Sequence, residues 1–299
     1  MAVDPRALKT FLAVCRTGSI SAAARQLCLT QPAVSATMLQ LEQGLQTRLF
    51  DRKRSGIMLT SSGVALRTRA EAMEAILQSA EREIALLKDN VSGPLTVGGT
   101  PGALASLIPT TIALLKDRYP AFELQVLERS DRQLADLLRS ERIDLAVVST
   151  GIDPVAEDFI EETFLSDTFA LLVGPANDHL PEQLALASLA DARWVLPHAE
   201  GAFRRQVDTL FLATGTRTPA NVIRCDSLLT TKALVRRTDY LTILPHEVAA
   251  AELASGAIRS IEILGSQLVR KVGVRMLKRK LPSPILEALL SCMRDAAQR

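Results

Sequence analysis

GSISAAARQLCLTQPAVSATMLQLEQGL, residues 18–45, is the stretch whose reading decides the rest. It predicts two short helices joined by a tight turn. The small run Ala22, Ala23, Ala24 lets one helix lie close against another. Ser21 is read as the cap of the first helix, its hydroxyl accepting a backbone N–H that has no partner inside the helix. Leu27, Cys28 and Leu29 are read as closing the turn with apolar side chains. Thr30 then caps the second helix, and Pro32 falls in its first turn, where a missing N–H costs nothing. Val34, Met38, Leu41 and Leu45 share one face at helical spacing. The outer faces carry Gln31, Ser35, Thr37, Gln40 and Gln43. Uncharged amides and hydroxyls suit base edges, because Gln pairs with adenine through two hydrogen bonds and Ser or Thr with several bases. An ordinary three-helix core with a solvated polar face gives the same pattern, so the neighbouring residues have to decide between the two.

Upstream, residues 5–17 predict a helix with Leu8, Phe11, Leu12 and Cys15 on its apolar stripe and Gly18 as its stop. Downstream comes RLFDRKRSGIMLTSSG, residues 48–63. Leu49 and Phe50 anchor the small core. Arg52, Lys53, Arg54, Ser55 and Gly56 read as a basic hairpin tip, with 57–60 as the returning strand. A hairpin beside such a helix pair is a wing, whose cations reach phosphates or the narrow minor groove. Charge agrees: the first 60 residues hold eight Lys and Arg against three Asp and Glu. The whole chain is only +2, so the remainder is net −3. A basic head on a mildly acidic body suits a phosphate-binding module joined to something with another task.

Residues 61–90 predict one long helix capped by Thr60, Ser61 or Ser62. With Gly63 at heptad position a, the seam is Gly63, Leu66, Ala70, Met73, Leu77, Ala80, Ile84 and Leu87, free of charge. This is a coiled-coil repeat, and at ~1.5 Å per residue the helix is roughly 40 Å long. One chain offers no second such helix, so the seam implies a homodimer. Two heads related by a two-fold axis would read two half-sites a helical turn or a multiple apart.

The 299 residues have room for two or three domains. Aromatic residues make up only 4%, which argues against base stacking on single strands as the main activity. No charged-then-apolar leader and no bilayer-length apolar run is seen, and Cys15, Cys28, Cys225 and Cys292 are scattered. The expectation is a cytoplasmic protein with buried thiols and no membrane association. After a break at NVSGP, residues 90–94, strands and helices alternate. Strands are predicted at 95–99, 122–128, 143–149, 169–174, 193–197, 221–225, 240–245, 257–263 and 269–277. Helices fall at 103–118, 131–139, 202–213, 228–236 and 247–255, and an amphipathic helix over 284–297 closes the chain. Such βαβ order predicts a parallel sheet covered on both faces.

In open α/β sheets ligands sit beyond the carboxyl ends of strands. Here those ends are Thr100, Pro101 and Gly102; Ser149 to Gly151; His198 to Gly201; Asp226 and Ser227; Pro245 and His246. Hydroxyls and helix N-termini at these places suit an anion. Catalysis fits poorly. His179, His198 and His246 lack metal-ligand spacing, and no GxSxG, P-loop or GxGxxG follows a strand. No catalytic or metal-binding residue is nominated. Cys225 ends a strand near the expected cleft, without a resolving cysteine nearby.

Leu8 to Gly63 resembles the N-terminal signature of LysR-type bacterial transcriptional regulators, through the series AA, L, TQPAVS, LE, LF, R, LT and G; the rest follows more loosely. The resemblance implies an α/β chain with a winged helix-turn-helix at 1–60 and a dimerising linker helix at 61–90. It also implies a two-lobed effector domain at 93–299, like periplasmic binding proteins. Lobe I would be 93–164 with 268–299, and lobe II 165–267. Gln31, Pro32, Ala33 and Ser35 match DNA-facing positions, and Arg52 and Arg54 the wing. Ser21, Thr30, Ala36, Gln40 and Lys53 complete the candidate DNA contacts. Thr100, Pro101, Ser149, Gly201 and Ser227 match pocket positions, joined by Gly102 and His198. Two departures stand out: Ala36 replaces a longer polar or basic side chain, and Gln46 replaces the usual glycine before the wing. The implied partners are double-stranded promoter DNA, a small-molecule co-inducer, a second copy of the chain within a dimer or tetramer, and RNA polymerase; no cofactor is implied. The rivals are a constitutive DNA-binding protein with an empty cleft, and a solute-binding or enzymatic α/β domain carrying a DNA-binding head.

Overall fold

The computed structural model describes residues 3–53, 56–88, 91–198, 201–265, 268–278 and 282–298, with the backbone alone at 52, 53 and 56. The chain divides into two compact units: 1–90 with 136–142, and 91–135 with 143–299.

The first unit opens with α1 (Pro5–Thr17). Asp4 caps it by accepting the Arg6 N–H at 2.9 Å, and Gly18 ends it at φ 65°. Helix α2 (Ile20–Gln26) follows, then α3 (Gln31–Leu45). Thr30 caps α3 as expected, accepting the Ala33 N–H, with a proline in the first turn. Ser21 does not cap α2. Ser19 does, accepting the Ala22 N–H, because the helix starts one residue earlier than the serine read from sequence. The turn is also less apolar than expected. Leu27 packs on the core, but Cys28 at φ 55° and Leu29 are exposed. Val34, Met38 and Leu41 are buried with Phe11, Leu12 and Ala23.

Strands β1 (Phe50–Lys53) and β2 (Gly56–Leu59) form the antiparallel wing. Arg52 and Lys53 therefore belong to a strand rather than to the tip; Arg54 and Ser55 lie outside the described residues. The wing is fastened at its root. The Glu42 carboxylate of α3 accepts the N–H groups of Leu49 and Phe50, at 2.7 and 3.2 Å. Phe50 meets the Phe11 ring at 5.3 Å between centroids. Thr60 donates to the Arg48 carbonyl at 2.7 Å and accepts the Gly63 N–H at 3.0 Å, capping α4 (Ser61–Lys88). A Cβ at Gly63 would stand 2.2 Å from the Leu49 carbonyl oxygen, which requires glycine there. Gln46, where glycine is usual, still takes the left-handed conformation, φ 53°. The turn is kept at the expense of a Cβ in a region that disfavours one.

The heptad seam of α4 serves two purposes. Gly63 and Ala70 are buried, and Leu66, Ala70 and Met73 pack on the head core. Arg16 of α1 pairs with Glu74. Beyond that turn Ile76, Leu77, Ile84 and Leu87 are exposed. The first half of the seam is thus covered by the chain's own head. No separate core divides residues 1–60 from the start of α4.

The second unit holds β3 (Ser92–Gly99), α5 (Pro101–Arg118), β4 (Phe122–Glu128), the start of α6 (Asp131–Arg139) and β5 (Leu145–Ser149), followed by the 15-residue β6 (Phe159–Val173). Then come β7 (Gln183–Leu184), β8 (Trp194–Leu196), α7 (Ala202–Ala213), β9 (Val222–Arg224), α8 (Leu228–Arg237), β10 (Thr242–Pro245), α9 (Ala250–Ala254), β11 (Arg259–Ile263), β12 (Val269–Leu277) and α10 (Pro284–Ala296). The sheet runs β4-β3-β5-β12-β6-β11-β7, with β10 also on β6. It is mixed, not parallel: β4, β3 and β5 are parallel, but β12 is antiparallel to both β5 and β6. Strand β6 joins two cores. Up to Thr168 it pairs with β12, and from Phe169 with β10 and β11. The boundary read at 164/165 falls inside this strand. One lobe buries Val97, Leu107, Val147, Val274 and Leu289 under α5 and α10. The other buries Leu171, Ile243 and Ile261 with Trp194, which meets Phe211 edge-on at 5.5 Å.

Candidate functional site

Two surfaces concern function, one in each unit. In the first unit, α3 turns its apolar face inward and leaves Thr30, Gln31, Pro32, Ala33, Ala36 and Gln40 exposed; Ser35 is half-buried. Ser21, exposed on α2, donates its hydroxyl to the Gln31 amide oxygen at 3.1 Å. That contact engages the Gln31 amide oxygen, while its NH₂ has no partner among the described residues. The sequence singled out both residues, but not the bond between them.

In the second unit a cavity of about 300 Å³ lies between the lobes. That is the lower end of the range for small-ligand sites. Thr100, Pro101, Gly102, Ser149 and Gly201 line it, as the strand-end reading expected. His198 and Ser227 are not among its lining residues. The Ser227 hydroxyl caps α8, accepting from Thr230. His198 is exposed, its N–H donated to Asp226 at 2.7 Å. Cys225 also lines the cavity. Of the four thiols only Cys292 is fully buried and Cys28 is exposed, so the expectation of buried cysteines fails at Cys28. Burial pushes the Cys15 thiol up to about 11.

Of the charged lining residues, sequence reasoning named Asp226 and passed over the others. Asp131, at the start of α6, accepts the N–H of Ala202 at the first turn of α7. Burial pushes its carboxyl above the ordinary range; the charges of Arg275 and Arg205 and the Ala202 N–H oppose this. Arg205 also pairs with Asp153. Arg204 places its Nε on Asp208 and its Nη1 on the Pro197 carbonyl at 3.0 Å. Deepest is Arg270, register partner of Asp167 on β6 and 3.2 Å from its carboxylate; the side chains are 3% and 2% exposed. Burial raises the Asp167 carboxyl and lowers the Arg270 guanidinium, each opposed by the partner's charge. Nothing in sequence marks these residues, because Asp and Arg are common and burial depends on long-range pairing.

The Asp131 shift has a measurable consequence. A carboxyl raised in the fold contributes most below its unfolded value, and the contribution is lost as pH rises through the raised one. Asp131→Asn removes the half-buried charge and keeps an acceptor for Ala202. The variant is expected to melt higher than the parent near neutrality, with the gap closing on acidification to about pH 4. A gap that widens in acid would contradict the assignment.

Among the described residues no group of three or more His, Cys, Asp or Glu could hold a metal, and no helix is long and apolar enough to cross a membrane. A winged helix-turn-helix and a two-lobed α/β body enclosing a small cavity define a class: transcription regulators that carry their own small-molecule-binding domain. Family models agree. One for the LysR substrate binding domain matches residues 88–298, and one for the bacterial regulatory helix-turn-helix protein, lysR family, matches 5–64. The chain belongs to the LysR family of DNA-binding transcriptional regulators. It is 27% identical to the HTH-type transcriptional regulator GalR of Pseudomonas putida, over 97% of this chain and 73% of that protein. It is 29% identical to the regulator GbpR of Rhizobium radiobacter, over 78% of each. The fold is similar to that of CbnR, a LysR family transcriptional regulator, with TM-score 0.71 and 21% identity over 99% of each chain. CbnR has also been solved with its target DNA, again at TM-score 0.71. These relatives are regulators, not enzymes.

Proposed function

We propose that this regulator reads promoter DNA through the first turns of α3 and holds a small molecule between its lobes, in the cytoplasm. Gln31, Pro32, Ala33, Ser35, Ala36 and Gln40 face the bases, Ser21 and Thr30 set the approach, and the wing cations Arg52, Lys53 and Arg54 take phosphates. Two copies pair through the second half of α4, and pairs assemble into tetramers that act on RNA polymerase at the promoter. The co-inducer contacts Thr100, Pro101, Gly102, Ser149 and Gly201. Binding favours one arrangement of lobes or subunits, which requires different ligand affinities in the two arrangements. The observation that carries this reading is α3 itself, buried behind and exposed with uncharged polar groups in front, beside a fastened wing.

Gln31→Ala tests the base-reading role. Removing a two-bond contact to a base costs about 1–3 kcal/mol of discrimination. Affinity for the cognate site is expected to fall by about tenfold or more, with little change on random duplex. Equal losses on both would refute the role.

A further inference from the structure

Helix α3 is apolar on two sides. Its inner face buries Val34, Met38 and Leu41. On the opposite side Pro32, Ala36 and Leu39 follow one another at spacings of four and three, which lines them up along the helix. All three are exposed. Leu39 is 56% exposed, the highest value of any large apolar side chain in residues 1–60 among those described. A lone exposed leucine is ordinary on a protein surface. This one stands on the outer face of the helix, next to Gln40 and in line with Gln43, both exposed.

The polar groups of α3 keep charge away from that stripe. The helix contains no Lys or Arg. Its one charged residue, Glu42, spends its carboxylate on the Leu49 and Phe50 N–H groups at the root of the wing. The Thr37 hydroxyl is turned back onto the Ala33 carbonyl at 2.9 Å. The eight Lys and Arg of residues 1–60 all stand elsewhere in the head. A basic surround suits the phosphates of a duplex, and a neutral apolar stripe within it suits the floor of the groove. Arg and Lys are the side chains that pair with the guanine edge, and α3 has neither to offer. The apolar group that base pairs present in the major groove is the C5 methyl of thymine. Against any other edge Leu39 would strip water from a donor or acceptor and return no bond. Ala33 and Ala36 are short, so the helix is free to lie close to the bases, within reach of a leucine.

We propose that Leu39 is a specificity-determining residue of the DNA interface and reads the methyl group of a thymine in each half-site, with Ala36 beside it. This rests on the reading that α3 faces the bases, and adds the residue and the kind of contact. The base pair under Leu39 is A·T, and it is selected by its methyl group rather than by its hydrogen-bonding edge.

The test uses the full chain and a duplex that it has selected from random-sequence DNA. Each thymine of that duplex is replaced in turn by uracil, which keeps the pairing with adenine and lacks only the methyl. At one thymine in each half-site the exchange is expected to lower affinity about fourfold, the worth of one buried methyl, and about 15-fold when both half-sites are changed together. Leu39 takes no part in the head core, so Leu39→Ala leaves the fold intact. The variant is expected to bind thymine and uracil alike at that position and to keep the parent's response at every other thymine. If no thymine shows the loss, or the loss persists in Leu39→Ala, the methyl contact is overturned and base reading by α3 still stands. A Leu39→Ala variant weakened equally on the thymine and uracil duplexes overturns it in the same way, because Leu39 then meets something other than a methyl. Failure to select any preferred duplex overturns both the proposal and the reading beneath it.

Discussion

Ile84→Glu combined with Leu87→Glu is expected to leave the protein folded and monomeric, and to lower its affinity for a two-half-site promoter by about 10²- to 10⁴-fold. The reason lies in how α4 spends its apolar residues. The first half of its seam, through Met73, is taken up by the head core. The second half leaves Leu77, Ile84 and Leu87 at 45%, 61% and 65% exposure, with Ile76 beside them at 50%. A helix with a continuous apolar stripe open to water is stable when something covers it, and a second copy of the same stripe is the cover of matching length. Two glutamates facing two glutamates replace burial with repulsion. None of these residues packs in the head core, so a single head keeps its fold and its half-site affinity. Light scattering should report one chain mass, and gel shifts should show full and half sites bound alike. A variant that keeps twice the chain mass would show that the stripe is not the pairing surface.

The second large effect belongs to the ion pair between the lobes. Asp167→Ala leaves the Arg270 charge buried with no counter-charge, which costs about 3–5 kcal/mol. In a unit of this size that lowers the melting temperature by about 6–20 °C. Replacing both residues, Asp167→Leu with Arg270→Met, removes the unpaired charge and is expected to recover most of the loss. The comparison separates an uncompensated charge from a mere loss of packing. If the double variant melts as low as Asp167→Ala, the damage comes from the shape of the site and the pair carries no electrostatic weight.

The head was legible in sequence because its signals are local. Caps, the proline in the first turn of α3, and apolar spacings of three and four act within a single helix, and Gly18, Thr30 and Pro32 stand where those signals put them. The misses there are local too. The α2 cap moved from Ser21 to Ser19, since two serines two residues apart offer the same chemistry. What sequence did not show was that the α4 seam is shared, because a heptad pattern does not say which partner covers it. The body was legible as α/β but not in its strand directions. The first ten residues of β6, FIEETFLSDT, carry charges that read as loop. They sit in a strand because Glu161 and Glu162 meet Arg275 and Arg294, more than a hundred residues away. Of the strand-end residues, Thr100, Gly102, Ser149 and Gly201 line the cavity, whereas the Ser227 hydroxyl caps α8. Arg270 is buried and Asp131 half-buried, and burial is decided by pairings that sequence spacing does not reveal.

The most direct test is selection of the full-length protein on random-sequence duplex DNA at physiological salt, followed by sequencing of the bound fraction. The expected result is one enriched motif made of two inverted half-sites, spaced by about a helical turn or a multiple of it. Bound DNA with no enriched motif, or with a single unpaired half-site, would contradict a paired, sequence-reading α3.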